Sequence, residues 1–354
     1  MKLGGLAEIL VQIGALLFGV GSVLLLLIAL GHSGPGLLQA LWDGSVGSSY
    51  AIQVSIGNAI PLILIGGAVW LAFTTGLFNL GAEGQLQWGG LAAVLVAVQF
   101  SNFPPVIIVL VSILAAMAAG AIWAGIAAWI KTERGAHEVI STIMLNFIAI
   151  LLVNYLINGP LRDPEADFPV TLPIPLNSEL SVYIALIPSM TITLAAIIVV
   201  QRTRIGLSLR SVGLNREAAR FAGIPIKQIW LLTFISSGMM VGLAGGLEVM
   251  SVQYLVSPGW SLRWGTLGIA IAFLATKRPM MIIPWGIVFG MLQATGPALK
   301  ADEGVQDAIV TVMLVMPLIF YFAMKVGAHS LNLRRQKGIS LRWPIDLNAG
   351  EKKP

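Results

Sequence analysis

The chain contains no cysteine among its 354 residues, so it has no disulfide framework, no cysteine-ligated metal and no thiol nucleophile. Charge is scarce as well. Only 10% of the residues are Asp, Glu, Lys or Arg, against roughly 25% in a typical soluble domain, and that is too little polar surface to cover a water-soluble globule. The three histidines, His32, His137 and His329, fall in different loops and form no metal-ligand spacing. No GxxxxGK[ST] phosphate loop occurs, so ATP hydrolysis by that route is excluded. No nucleophile–base pair stands out, nothing calls for a cofactor, and an enzymatic role such as a membrane transferase has no residues to carry it.

What the chain does have is apolar residues, 57% of the total, in runs long enough to cross a membrane. Spanning ~30 Å of hydrocarbon takes about 20 residues as a helix. The helix is forced, because lipid offers no partner to backbone N–H and C=O groups. Ten runs qualify, roughly 8–30, 51–73, 86–101, 105–130, 139–158, 182–200, 229–249, 264–276, 280–297 and 307–325; only Lys277, Arg278 and Pro279 separate the eighth from the ninth. The first run exceeds a signal-peptide h-region, is preceded by a single basic residue, Lys2, and has no small-x-small cleavage site before His32, so it reads as a retained helix. The expected fold is all-α: a polytopic transmembrane helical bundle of about ten spans. Residues 1–325 would form the membrane domain and 326–354 a basic cytoplasmic tail near anionic lipid.

The net charge of +5 suggests nucleic acid until its distribution is considered. With both termini in the cytoplasm and the chain alternating, 18 of the 21 basic residues fall inside and only Arg162, Arg263 and Lys300 outside. Lys/Arg bias near helix ends sets topology, so the charge orients the chain in lipid. The outer loop 159–181 is instead acidic and proline-rich, with Asp163, Glu165, Asp167 and Glu179. Asp302, Glu303 and Asp307 lie in or beside the last outer loop. Such acidity fits either simple translocation or a docking surface for an external partner.

The longest inner loop, 201–228, predicts a short helix of its own. Asn215 suits the N-cap, Glu217 complements the dipole in the first turn, Ala218 and Ala219 follow, Gly223 suits the C′ position and Pro225 ends the turn. Phe221 is its apolar tooth, shaped to enter a groove on another protein. From composition alone the segment is equally an ordinary positive-inside loop.

Glu217-Ala218-Ala219-x-x-x-Gly223 resembles the EAA-Gly coupling loop of ABC importer permeases. Gly76-Leu-Phe-Asn-Leu-Gly-Ala-Glu-Gly-Gln85, Glu138-Val-Ile-Ser-Thr-Ile-Met-Leu-Asn146, Arg210 to Ile224 and Gly242-Leu-Ala-Gly-Gly-Leu-Glu248 resemble, in order, motifs of the nucleoside and simple-sugar permease family. That family is related to the ribose and branched-chain amino acid permeases. The likeness runs from about residue 50 to 300. The chain departs from it at Leu274-Ala-Thr-Lys-Arg-Pro-Met-Met281, where relatives carry a Gly-Arg-Asn-like turn, and this bears on substrate identity. The resemblance implies a ten-helix permease paired with a second permease subunit, ATP-binding subunits and an extracytoplasmic substrate-binding protein. It implies that Asn215, Glu217, Ala218, Ala219, Phe221 and Gly223 couple to the ATPase.

For a translocation pathway, the candidates are uncharged or isolated polar groups: Asn79, Glu83, Gln85, Asn58, Ser141 and Asn146. Gly76, Gly81 and Gly84 permit a broken helix around three of them, although a short cytoplasmic turn fits the same residues. Each amide serves equally as helix glue. Glu83 is a functional suspect because ionisable groups at membrane depth are costly, while Glu248, near the outer end of its span, is equally well read as a solvated interfacial residue. No span carries a central Lys or Arg, which disfavours an anion path and is compatible with a nucleoside or sugar. The rival reading, an ion-gradient-driven secondary transporter, would want more central ionisable groups than Glu83 alone. Trp42, Trp88, Trp260, Trp264 and Trp285 lie near span ends, where interface anchoring is expected.

Overall fold

The computed structural model describes residues 5–261 and 264–336, and all regular structure among them is helical. The helices are α1 (Gly5–Ala29), α2 (Gly34–Ser45), α3 (Ser49–Thr74), α4 (Ala82–Gln99), α5 (Pro105–Arg134), α6 (Glu138–Asn158) and α7 (Val182–Arg202). After these come α8 (Arg204–Leu214), α9 (Arg216–Phe221), α10 (Ile226–Glu248), α11 (Trp264–Ala275), α12 (Ile282–Ala294), α13 (Gly296–Glu303) and α14 (Asp307–Gln336). Short 3-10 turns at 176–178 and 279–281 and a π-helical turn at 249–253 complete the regular elements.

Eight described segments are long and apolar enough to cross a membrane. Two of the ten expected spans are of a different kind. α4 has 18 residues and carries Glu83, Gln85 and Gln87 in its first two turns. α11 has 12, and at 1.5 Å per residue it covers only about 18 Å. Both are made viable by burial inside the bundle, not by facing lipid.

The centre of the bundle is α3 and α10. Their apolar stretches are 83% and 67% buried, against 22% for α1, α5 and α7. A helix apolar on every face belongs in such a centre. α5 and α10 meet through small residues four apart: Ala116, Gly120 and Ala124 on one side, Gly238, Gly242 and Gly246 on the other. A Cβ on Gly242 would run into the Ala116 carbonyl, and one on Gly238 into the Gly120 carbonyl. Backbones this close gain dispersion contacts that lipid cannot match.

At one end of the bundle Glu8 of α1 is 2% exposed. It accepts from the Tyr321 hydroxyl (2.7 Å) and lies 3.3 Å from both Lys325 and Lys277 Nζ. Beside it Gln12 accepts from Trp285 Nε1 (3.2 Å) and donates to the Leu274 carbonyl (2.7 Å). α1 is thereby latched to α12, α14 and the turn after α11.

Several expectations are corrected. The segment after α1 is not simply a loop. It holds α2, N-capped by Ser33 with a proline in its first turn, too short and too glycine-rich to register as a span. The loop 201–228 holds two helices, α8 and α9, not one. Trp264 and Trp285 are 8% and 4% exposed, core residues and not interface anchors; Trp42, at 64%, does face outward. Glu248 is buried at 1% exposure and accepts from Gln253 Nε2 (3.2 Å), because the π turn folds Gln253 back over it. The first residues of the basic tail, to Gln336, are helical as the continuation of α14; the rest of the tail lies outside the described residues.

Candidate coupling helix and intramembrane break

α9 is built as its residues dictate. Asn215 is extended (φ −156°, ψ 107°) and its side-chain oxygen accepts from Ala218 N at 3.1 Å. At the other end Gly223 has φ +76°, a conformation strained for any residue with a Cβ. Gly223 N donates to the Arg220 carbonyl and Ile224 N to the Ala219 carbonyl, both at 3.0 Å. This 5→2 and 6→1 pair closes the helix with a Schellman motif. Ala219 is 3% exposed and packs inward, whereas Phe221 and Leu214 are 89% and 87% exposed. Glu217 and Arg220 form a loose surface pair at 3.8 Å.

Beneath α9 lies a polar platform. Trp230 of α10 is flanked by Arg216 (4.9 Å to the ring centroid) and Lys131 (5.4 Å). Lys131 also reaches buried Glu138 at 2.7 Å, and Lys227 reaches Glu133 at 3.2 Å. The ends of α5, α6 and α10 are thus tied together under the short helix. α8 adds a further link: a Cβ on Gly213 would strike the Thr74 carbonyl, where α3 ends.

From that point the chain turns back into the bundle. Gly76 adopts φ +72°, residues 77–81 are non-helical, and α4 starts at Ala82. Asn79 sits level with Ala68, since both meet Ser237: Asn79 Nδ2 donates to Ser237 Oγ (2.8 Å), which donates to the Ala68 carbonyl (2.9 Å). Ala68 lies six residues, or about 9 Å, before the end of α3. The 76–85 segment is therefore re-entrant and not a surface turn.

The break is held by amides. Asn79 Nδ2 also donates to Gln85 Oε1 (3.1 Å), and Asn79 Oδ1 accepts from Gln85 Nε2 (3.0 Å) and Gly81 N (3.0 Å). Asn146 of α6 accepts from Gly84 N (2.8 Å) and donates to the Leu80 carbonyl (2.6 Å). These bonds satisfy backbone groups freed by the break. Glu83, in the first turn of α4, accepts from Ser261 Oγ (3.1 Å) and from Gly265 N (2.8 Å) at the start of α11. Its carboxylate thus faces two helix N-termini, each of which favours negative charge.

The structure brings Asn79, Glu83, Gln85 and Asn146 together. Asn58 and Ser141 lie apart from them. Asn58 faces α12, with a long 3.5 Å contact to the Gly290 carbonyl. Ser141 donates to the Glu138 carbonyl in its own helix (3.1 Å). Ser237, Ser261 and Gly265 complete the cluster and carried no signal in the sequence, being common residues whose partners are distant along the chain. Both amide atoms of Gln87 and one Glu248 oxygen are among the buried polar atoms that have no hydrogen-bond partner within the described residues.

A family model described as branched-chain amino acid transport system / permease component matches residues 52–322. The chain is 33% identical over 292 residues to the glucose ABC transporter permease protein TsgB13 of Haloferax volcanii, covering 77% of this chain and 76% of that one. It is 30% identical over 325 residues to the guanosine ABC transporter permease protein NupP of Bacillus subtilis, covering 89% and 93%. It is 27% identical over 334 residues to the nucleoside ABC transporter permease protein NupB of Lactococcus lactis, covering 90% and 91%.

Proposed function

Since the chain belongs to the family of branched-chain amino acid transport system permease components, we propose that it is the membrane pore of an ATP-driven importer for a nucleoside, with a simple sugar as the next class of cargo. It is a transport subunit, and ATP hydrolysis is the work of a separate chain. The nucleoside reading is supported by relatives that share most of their length with this chain and carry guanosine or nucleoside in their names. The absence of a central Lys or Arg in any span is in keeping with an uncharged solute. An ion-driven secondary transporter draws no support from these relatives.

The observation that carries the mechanism is α9 itself, a closed two-turn helix that presents Phe221 at 89% exposure. The proposed partner for that surface is a groove on an ATP-binding subunit. With α9 and both termini on the cytoplasmic side, the opposite face meets an extracytoplasmic substrate-binding protein, and a second permease chain completes the pore in a prokaryotic plasma membrane. In the described conformation Asn79 and Gln85 are closed on each other. Their use by a passing solute requires that pair to open, and movement of α8 against Thr74 is the proposed lever. Glu83, Asn146, Asn58 and Ser141 are the remaining pathway candidates.

The test is reconstitution of the chain with its second permease, ATP-binding subunit and binding protein in liposomes. ATP-dependent accumulation of guanosine over glucose is expected. Accumulation driven by an ion gradient without ATP would overturn the class, and glucose uptake without guanosine uptake would overturn the cargo.

A further inference from the structure

Between α5, α7, α8 and α10 the bundle leaves an open apolar groove of about 370 Å³. Leu71 and Met240 form its floor, and Ala195, Val199, Leu232 and Met239 its exposed rim. Thr233, which also lines it, spends its hydroxyl on the Ile229 carbonyl (2.7 Å). The groove follows α7 from Ile192 to Val200 and stops at α8, where Ile205 and Leu209 close it.

Beyond that stop lie Arg202, Arg204 and Arg210. All three are exposed, and none forms an ion pair among the described residues. Arg210 alone has a polar contact, from Nε to the Gly206 carbonyl at 3.3 Å. Four other basic residues of this face are engaged: Lys131 with Glu138, Lys227 with Glu133, Arg220 with Glu217 and Arg216 with Trp230.

We propose that the groove holds an acyl chain of an anionic phospholipid whose phosphate is bound by Arg202, Arg204 and Arg210. The dimensions agree. From Ile192 to Arg202 α7 rises about 15 Å, half of the ~30 Å hydrocarbon thickness. The groove thus spans one leaflet, and the arginines sit at its headgroup level. Clustered arginines at that level attract anionic lipid, and the fork of each guanidinium matches a phosphate. A lipid seated there contacts α8 directly and stiffens the helix that leads into α9. Only the assignment of the leaflet rests on the cytoplasmic placement of α9.

Native mass spectrometry of the full-length chain in detergent tests this, with phosphatidylglycerol or phosphatidylcholine of identical acyl chains added. Phosphatidylglycerol should be retained at concentrations at least about tenfold lower. The variant Arg202→Gln/Arg204→Gln/Arg210→Gln should bind both lipids alike, and Ala195→Trp, which fills the rim, should weaken both. Equal retention of the two lipids by the unaltered chain, or an unchanged preference in the triple variant, overturns the proposal. So does efficient cross-linking of Ala195→Cys to the second permease in the assembled complex, which would make a helix the occupant. Lipid binding in detergent is indifferent to sidedness. Labelling of Glu217→Cys from outside intact cells would therefore overturn the orientation while leaving the lipid result standing.

Discussion

Gly213 in α8 packs so closely on the carbonyl of Thr74 that no side chain fits between them. α8 leads directly into α9, and Thr74 leads directly into the re-entrant break. A movement of the short helix would therefore bear on Asn79 through this contact and the five residues that follow Thr74. Gly213→Val should separate the two and uncouple them. The expected result is substrate-stimulated ATP hydrolysis reduced at least tenfold in liposomes, with normal membrane insertion. Normal stimulation would remove this contact from the mechanism.

Phe221→Ala should leave insertion and thermal stability unchanged, because the ring touches little of its own chain. Binding to the ATP-binding subunit should weaken by roughly tenfold or more, as for an aromatic anchor at an interface centre. Gly223→Pro should abolish coupling, since proline fixes φ near −65° where the structure has +76°. Affinity measurements between purified permease complex and ATPase would register both.

Asn79→Leu should destabilise the chain by about 2 kcal/mol, leaving Gln85 and Ser237 without their buried partner. The double variant Asn79→Leu/Gln85→Leu should lose less than the sum of the single changes. Thermal unfolding in detergent measures each, and strict additivity would show that the amide pair does not act as a unit.

Lys131→Met should cost about 3 kcal/mol, because Glu138, with 5% of its side chain exposed, loses the partner of a buried ion pair. Adding Glu138→Gln to Lys131→Met should recover part of that loss. A single variant as stable as the unaltered chain would show that water reaches the carboxylate.

The membrane class, the helical fold and the local form of α9 were legible in the sequence because each depends on neighbours in the chain: apolar run length, an N-cap asparagine, a C′ glycine. α2 was not, since a 12-residue helix with three glycines lacks the length of a span. The burial of Trp264, Trp285 and Glu248 was also hidden. Whether a residue near a span end meets headgroups or other helices depends on what packs against it. The re-entrant course of 76–85 was one of two readings the glycines allowed. What decides it is Ser237, 158 residues from Asn79. Of the pathway candidates, Asn58 and Ser141 could not be told from the clustered four by residue type alone.

The small-residue seam along Ala116, Gly120, Gly238 and Gly242 leaves no side-chain cushion between α5 and α10. Two rods in backbone contact cannot slide or roll without collision, and Gly245 and Gly89 extend the same intimacy to α4. These three helices must travel as a single stiff block. Rearrangement during a transport cycle then falls to the joints around it, at the rim of α7 and where α8 meets Thr74, and cross-links confined to the block should leave turnover untouched while those bridging its edge should stop it.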